Sequence, residues 1–226
     1  IGPTQDLTDG AGLTIAHQQM FGVYCASKAS EWLSKHSKKE SKRIEDIELP
    51  GFLKIFNENL VATAILMTAF FGVILAVLGQ DFLLENKFMK PGQDFFFYIM
   101  TTSFQFAVYL SILQLGVRTF VTELTNSFQG ISNKLLKGSV PGVDCAVTYG
   151  FGSPNAVTLG FLMGAAGQFL AIAALLLLKS PVVVIAGFVP LFFDNATIGV
   201  YANTTGGLRA VLILPFISGL LQVFGS

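Results

Sequence analysis

Three stretches of this chain are long, apolar and free of charge, and a fourth is nearly so. Residues 59–79 form the first, long enough at 1.5 Å per residue to cross about 30 Å of hydrocarbon. The second, 95–117, carries Gln105 and Gln114 but no charged residue. A third covers 156–178, where Gly160 and Gly164 form a GxxxG spacing that lets helices approach closely. A fourth covers 208–223, and Pro215 is expected to kink it. Lipid offers no partner for a backbone N–H or C=O, so spans of this length must be helices. Charged residues make up only 12% of the chain, about half of what a soluble domain carries, and its 22 phenylalanines have no place on a water-facing surface. The fold class expected is an all-α, polytopic membrane protein.

Two polar runs sit against these apolar segments. One reads Thr8-Asp9-Gly10-Ala11-Gly12-Leu13-Thr14-Ile15-Ala16-His17-Gln18-Gln19, the other Phe193-Asp194-Asn195-Ala196-Thr197-Ile198-Gly199-Val200-Tyr201-Ala202-Asn203. A charge at the centre of a membrane helix costs about 2.5–3.5 kcal/mol on insertion scales. Such groups therefore face a protein interior or a wet cavity, where they mark a binding site or pathway. In the second run, Asp194, Asn195 and Thr197 are the residue types that cap a broken helix and stabilise its turn. Both runs hold an Asp followed by Gly or Asn and then a Thr-Ile pair. This loose echo fits internal repeats whose broken helices meet at the binding site.

Net formal charge is zero, which gives no electrostatic support for nucleic acid as a partner. Locally the balance is uneven. Residues 28–54 hold seven of the 14 Lys and Arg, whereas the next loop has only Lys87 and Lys90. The positive-inside rule places loop 28–54 in the cytoplasm and loop 80–94 outside. Residues 34–46 read as a solvated linker within the cytoplasmic loop. Cys25 and Cys145 read as two buried thiols with no disulfide framework. Nothing matches a phosphate-cradling loop, a catalytic triad or a zinc spacing, so no catalytic residue, metal or cofactor is expected.

Shorter pieces lie between the spans. Residues 181–193 are apolar but interrupted by Gly187 and Pro190, too short to cross and therefore re-entrant or interfacial. The stretch 139–155 is broken by Pro141, Gly142, Gly150, Gly152 and Pro154. Phe21, Tyr24, Cys25, Ala29, Trp32 and Leu33 share one helical face, the pattern of an in-plane interfacial helix. Val117, Val121, Leu124, Phe128, Ile131 and Leu135 repeat that period. Packing against neighbouring helices would serve either face equally well. The chain opens inside the first polar run and ends in an apolar one, as expected of the C-terminal-side fragment of a longer protein.

A set of ordered blocks then stands out: Pro3-Thr4-Gln5-Asp6, Thr8-Asp9-Gly10, His17-Gln18-Gln19, Leu49-Pro50-Gly51, Gly116-Val117-Arg118, Phe120-Val121-Thr122-Glu123-Leu124, Gly130-Ile131-Ser132, Asp144-Cys145-Ala146, Pro154-Asn155-Ala156, Gly187-Phe188-Val189-Pro190 and Asn195-Ala196-Thr197-Ile198-Gly199-Val200. Together they resemble the ascorbate-specific permease (IIC) family of the bacterial phosphoenolpyruvate-dependent sugar phosphotransferase system. The likeness covers essentially the whole chain and about half of a family member. It implies an inner-membrane homodimer with inverted repeats, an elevator-type core carrying re-entrant hairpins, and a second, dimer-forming domain. On this reading residues 1–226 belong to one permease unit, with 139–203 in the core. The resemblance implies L-ascorbate or a related sugar acid as substrate. It also implies phosphorylation by a cysteine-phosphorylated IIB partner, itself served by IIA. The permease itself is then no enzyme.

Carried over by motif, the substrate-binding residues are His17, Gln18 and Asp144, whose imidazole, amide and carboxylate match the donors and acceptors of a polyol or lactone. Ala16 stands where glycine usually precedes the His-Gln-Gln, Asp194 where serine is common, and Thr204 where histidine is common. From the residues alone, an ion-coupled secondary transporter is the alternative, with Asp144 and Asp194 as cation ligands at broken helices.

Overall fold

The computed structural model describes residues 2–8, 12–16, 19–36, 41–47, 59–187 and 190–225, and these are mostly helical. In chain order the helices are α1 (Gly2–Gln5), α2 (Gln19–His36), α3 (Asn59–Glu85), α4 (Phe95–Lys134), α5 (Thr148–Phe151), α6 (Pro154–Leu177) and α7 (Asn195–Phe224). Two short strands, β1 (Thr14–Ile15) and β2 (Gly142–Val143), form a small parallel ribbon. The chain divides into two compact units, one made of Ile1–Ile47 with Gly116–Ser226 and the other of Glu48–Leu115. By length and composition, four segments would suffice to cross a membrane: Leu60–Glu85, Phe95–Phe128, Pro154–Leu177 and Pro190–Phe224, the last of which reverses at Gly207.

In the smaller unit, α3 runs past the expected end at 79 and reaches Glu85, with non-helical backbone at Gly79. Leu75, Leu83 and Met89 are buried there among Phe71, Phe95, Tyr98 and Ile99. Val73, Val77, Phe97 and Ile112 stay exposed, the apolar outer surface of a protein that meets lipid. The expected span 95–117 and the amphipathic stretch after it are one continuous helix, α4. No breaker separates them, since Gly116 weakens a helix by only about 1 kcal/mol relative to alanine. At about 60 Å, α4 is longer than a bilayer is thick.

The larger unit is organised by α6 and α7. A straight α7 would hold Asn195 and Gln222 about 40 Å apart. Instead Asn195 Nδ2 donates to Gln222 Oε1 and Gln222 Nε2 donates to Asn195 Oδ1, each at 3.3 Å. The helix therefore folds back on itself as a hairpin. It turns at Gly207, where φ 64° and ψ −160° are open only to glycine at low cost. The non-helical backbone falls at Gly207, and Pro215 lies within the second arm. The second polar run forms the first arm of the hairpin and faces the protein interior, with Asn195, Thr197 and Asn203 all sequestered.

Both arms pack on α6 without side chains between the backbones. A Cβ on Gly160 would meet Asn195 O at 2.7 Å, and one on Gly219 would meet Gly164 O at 2.1 Å. The GxxxG spacing is thus consumed inside the chain. Three amides tie the contact together: Gln168 Nε2 also donates to Gln222 Oε1.

Residues 41–46, expected to be a solvated linker, instead clasp the hairpin tip. Lys42 O accepts from Leu208 N at 3.0 Å, supplying a partner for the N–H that the turn leaves open. Asn203 Oδ1 accepts from Ile44 N at 2.9 Å, and its Nδ2 donates to Glu45 Oε2 at 2.7 Å. Losing those two bonds costs on the order of 1–3 kcal/mol. Asn203→Ala is accordingly expected to speed amide hydrogen exchange at Ile44 and Leu208 by about tenfold or more, measured by mass spectrometry. Unchanged protection there would mean that the clasp is held by something else.

Helix α2 packs on α7 through Val23, Ala26, Ser27 and Ser30, and Ser30 Oγ donates to Ala202 O at 3.1 Å. The aromatic face with Phe21, Tyr24 and Trp32 remains exposed. Cys25 is exposed as well, which corrects the expectation of two buried thiols. The aromatic side of α2 is left for lipid or another protein surface, while its small residues hold α7.

Candidate binding site

The first polar run and the Pro-Gly-rich stretch meet as the parallel ribbon, with Thr14 opposite Gly142 and Ile15 opposite Val143. Thr14 N donates to Pro141 O and Ala16 N to Val143 O, both at 3.0 Å. Leu13, Thr14 and Ile15 are buried, and the Thr14 hydroxyl bonds that of Thr4 in α1. Gly142 is forced by the crossing: a Cβ there would sit 2.6 Å from Ala16 Cβ. This accounts for alanine at 16, since the opposing strand supplies the missing space.

One step beyond the pairing, Ala16 stands level with Asp144. That aspartate opens a 3-10 turn over Cys145–Val147, and its Oδ1 accepts from Ala146 N at 3.0 Å. Cys145 Sγ donates to the same oxygen at 3.5 Å. Asp144 itself is exposed on this chain. His17 and Gln18 lie outside the described residues, as do Asp9, Gly10 and Ala11.

The turn continues into α5 and ties the ribbon to the start of α7. Thr148 Oγ1 donates to Cys145 O at 2.6 Å. Tyr149, fully buried, donates its hydroxyl to Phe193 O at 3.2 Å and stacks on Phe193 with centroids 5.9 Å apart. Phe193 belongs to a π-helical turn, Pro190–Asp194, that leads into α7. Thr197 Oγ1 returns to the same carbonyl at 2.7 Å, and Asn195 Nδ2 to Leu191 O at 2.8 Å. Asn195 and Thr197 thus stabilise the break, as their residue types indicate.

Asp194 behaves differently. Its backbone is already α-helical and its side chain makes no capping bond, so it is not the cap expected of it. Its charge is instead felt at Cys145 and Tyr149. Burial first, then Asp144 and more weakly Asp194, push the Cys145 thiol up to about 12. Burial first, with Cys145 and the same two carboxylates adding to it, holds the Tyr149 phenol well above its ordinary value. Cys145 is therefore a protonated donor at neutral pH and not a thiolate nucleophile. Two carboxylates 50 positions apart in the chain consequently share one neighbourhood. The sequence signal for Asp194 was only its place in a polar run, which a helix cap would also explain.

The family model described as the PTS system sugar-specific permease component matches residues 1–226. The chain belongs to that family. Among curated permease relatives, the ascorbate-specific PTS system EIIC component of Mycoplasma pneumoniae is 37% identical over 244 residues, covering 97% of this chain. The chain spans 36% of that relative's length. As a permease-family chain with helices long and apolar enough to cross a bilayer, it is part of a membrane-spanning protein.

Proposed function

We propose that this chain forms the substrate-holding part of a phosphotransferase permease that carries L-ascorbate, or a related sugar acid, across the bacterial inner membrane. The observation that carries the reading is the ribbon, which brings the strand leading to His17 alongside Asp144. His17, Gln18 and Asp144 are the proposed ligand contacts, and Asp194 joins them as a second carboxylate. Ascorbate is an anion at neutral pH, with its charge on the ring enediol. The carboxylates then serve the neutral side-chain hydroxyls as acceptors, and the imidazole and amide of the first run serve the ring. A site built this way rejects analogues that lack a hydroxyl, because its own polar groups would be left unpaired.

Phosphoryl transfer falls to the partners. A IIB subunit, phosphorylated in turn by IIA, would meet the permease on the side of loop 28–54, which the lysines place in the cytoplasm. The hairpin tip lies on that side too, because residues 41–46 hold it. A homodimer and an elevator-type movement of the core 139–203 complete the proposal.

Vesicles containing the full-length permease are expected to accumulate labelled ascorbate only when IIB, IIA, phosphoenolpyruvate and the phosphocarrier proteins that pass its phosphoryl group to IIA are supplied inside, with ascorbate phosphate as the product. Accumulation driven by a sodium or proton gradient without those components would overturn the assignment.

A further inference from the structure

A pocket of about 330 Å³ opens where three separate pieces of chain meet: the end of α2, residues 41–46 and the start of the second arm of α7. Its walls divide by chemistry. Trp32, Leu33 and Ile213 form an apolar side, while Ser34, Ser41 and Arg209 form a polar one, with His36 at its edge. Gly206 lies at its base, pressed so closely on Ser30 that a Cβ would come within 2.3 Å of the serine hydroxyl.

We propose that this pocket binds a phosphate group at the membrane surface, with the headgroup of an anionic phospholipid as its source. Five observations carry this. Arg209 supplies a permanent positive charge on a planar guanidinium of the kind that pairs with phosphate oxygens, the Ser34 hydroxyl lines the pocket as a donor, and the Ser41 oxygen, which accepts from Arg209 N at 3.2 Å, keeps its own O–H to donate. Trp32 is 59% exposed with its ring against His36, centroids 4.7 Å apart. An amphipathic indole beside basic residues is the arrangement found at the headgroup level of a bilayer. The nearest acid on α2, Glu31, is already held by Lys28 at 3.1 Å and does not oppose an anion. Finally, the pocket sits at the small end of ligand cavities, about 300–1,000 Å³, which suits a headgroup whose acyl chains run outward past Leu33 and Ile213. The surrounding segment 28–54 carries half the basic residues of the chain, the sequence pattern of anionic-lipid recognition.

Such a ligand would bridge α2, the 41–46 clasp and the hairpin arm, tightening the tip in anionic membranes. It needs only that the chain spans a bilayer and does not depend on which solute is carried.

Trp32 is the single tryptophan of this chain, so its emission reports on the pocket. Full-length permease in mixed micelles is titrated with phosphatidylglycerol bearing brominated acyl chains, then with phosphatidylcholine of the same chains. A Trp32→Phe variant gives the background of every other fluorophore, which is subtracted. Phosphatidylglycerol is expected to quench Trp32 at lower mole fraction than phosphatidylcholine. Arg209→Gln should weaken the apparent affinity about fivefold, the effect of one surface cation, and Arg209→Lys should retain most of it. Ser34→Ala, which leaves the clasp untouched, should weaken it in the same direction. Inorganic phosphate at millimolar concentration altering Trp32 emission while phosphatidylglycerol quenches no better than phosphatidylcholine would keep the phosphate site but overturn the lipid as its source. Equal quenching by both lipids with no effect of inorganic phosphate, or Arg209→Gln and Ser34→Ala titrating like wild type, would overturn the site itself.

Discussion

Asp144→Asn in the full-length permease is expected to weaken ascorbate binding by about a hundredfold while the protein still folds and inserts. The asparagine keeps an oxygen where Asp144 Oδ1 now accepts from Ala146 N, and the two residues cap equally well. What is lost is the charge. A hydrogen bond to a charged group contributes about 1.5–3 kcal/mol, or roughly 10- to 150-fold in affinity. Asp144→Ala removes the cap as well, adding about 0.5–2 kcal/mol of local destabilisation. Calorimetric titration with ascorbate, beside a melting curve for each variant, separates the two effects. His17→Ala should lose binding in the same way. If Asp144→Asn binds normally and Asp194→Asn does not, the hydroxyl acceptor is the carboxylate on the π-turn. If both bind normally, neither carboxylate touches the ligand.

What could be read from the residues alone follows from which forces act locally. The spans at 59–79, 95–117 and 156–178 were legible because hydropathy and length state them directly; the first two lie within α3 and α4, and the third ends one residue past α6, at its C-cap Leu178. Their ends were less so. Nothing in the chain at 117 marks a stop, and α4 continues along an amphipathic face that Val121 and Leu124 bury against Leu13 and Val143. The hairpin in α7 was the larger miss. Its two arms are both apolar and helix-forming, so period and hydropathy run through the turn, and Gly206-Gly207 was its one local signal. Only the contact between Asn195 and Gln222, made across 27 positions, shows that the chain reverses. The clasp at 41–46 escaped for a similar reason: its charged and hydroxyl residues read as solvated, while its grip joins the Lys42 carbonyl and Ile44 N–H, which have no sequence signature, to a Glu45 carboxylate that any exposed loop could carry.

The site was legible in its parts and not in its assembly. His17, Gln18 and Asp144 were singled out by motif, yet no spacing rule could announce that Thr14-Ile15 would pair with Gly142-Val143 across the length of two spans. Gly142 carried a trace of it, since a glycine facing a small residue is what close crossing requires. Asp194 was present in the second polar run but assigned a capping role that its helical backbone rules out.

Gly219→Ala is expected to be the most damaging conservative change in the chain. Alanine favours a helix by about 1 kcal/mol over glycine, so propensity alone predicts a gain. The opposing term is larger. The new methyl would lie 2.1 Å from Gly164 O and 3.0 Å from Gln168 N, both backbone atoms of α6 that cannot turn aside. The second arm of α7 must then move off α6, and the Gln168, Asn195 and Gln222 amides lose the distances that pair them. Buried amides left without partners cost about 1–3 kcal/mol each. Together with the lost packing this reaches roughly 4–5 kcal/mol, enough to unfold a marginally stable domain. Gly22→Ala is the matched control, because a methyl there meets nothing within 4 Å. Size-exclusion melting of the two variants in detergent should show Gly22→Ala at or above wild type and Gly219→Ala with little folded protein at any temperature. Equal melting of the pair would mean that α6 and the hairpin do not touch backbone to backbone. The small residues at 160, 164 and 219 would then lose their reason, and with them the rigid frame on which the π-turn holds Asp194 near Asp144.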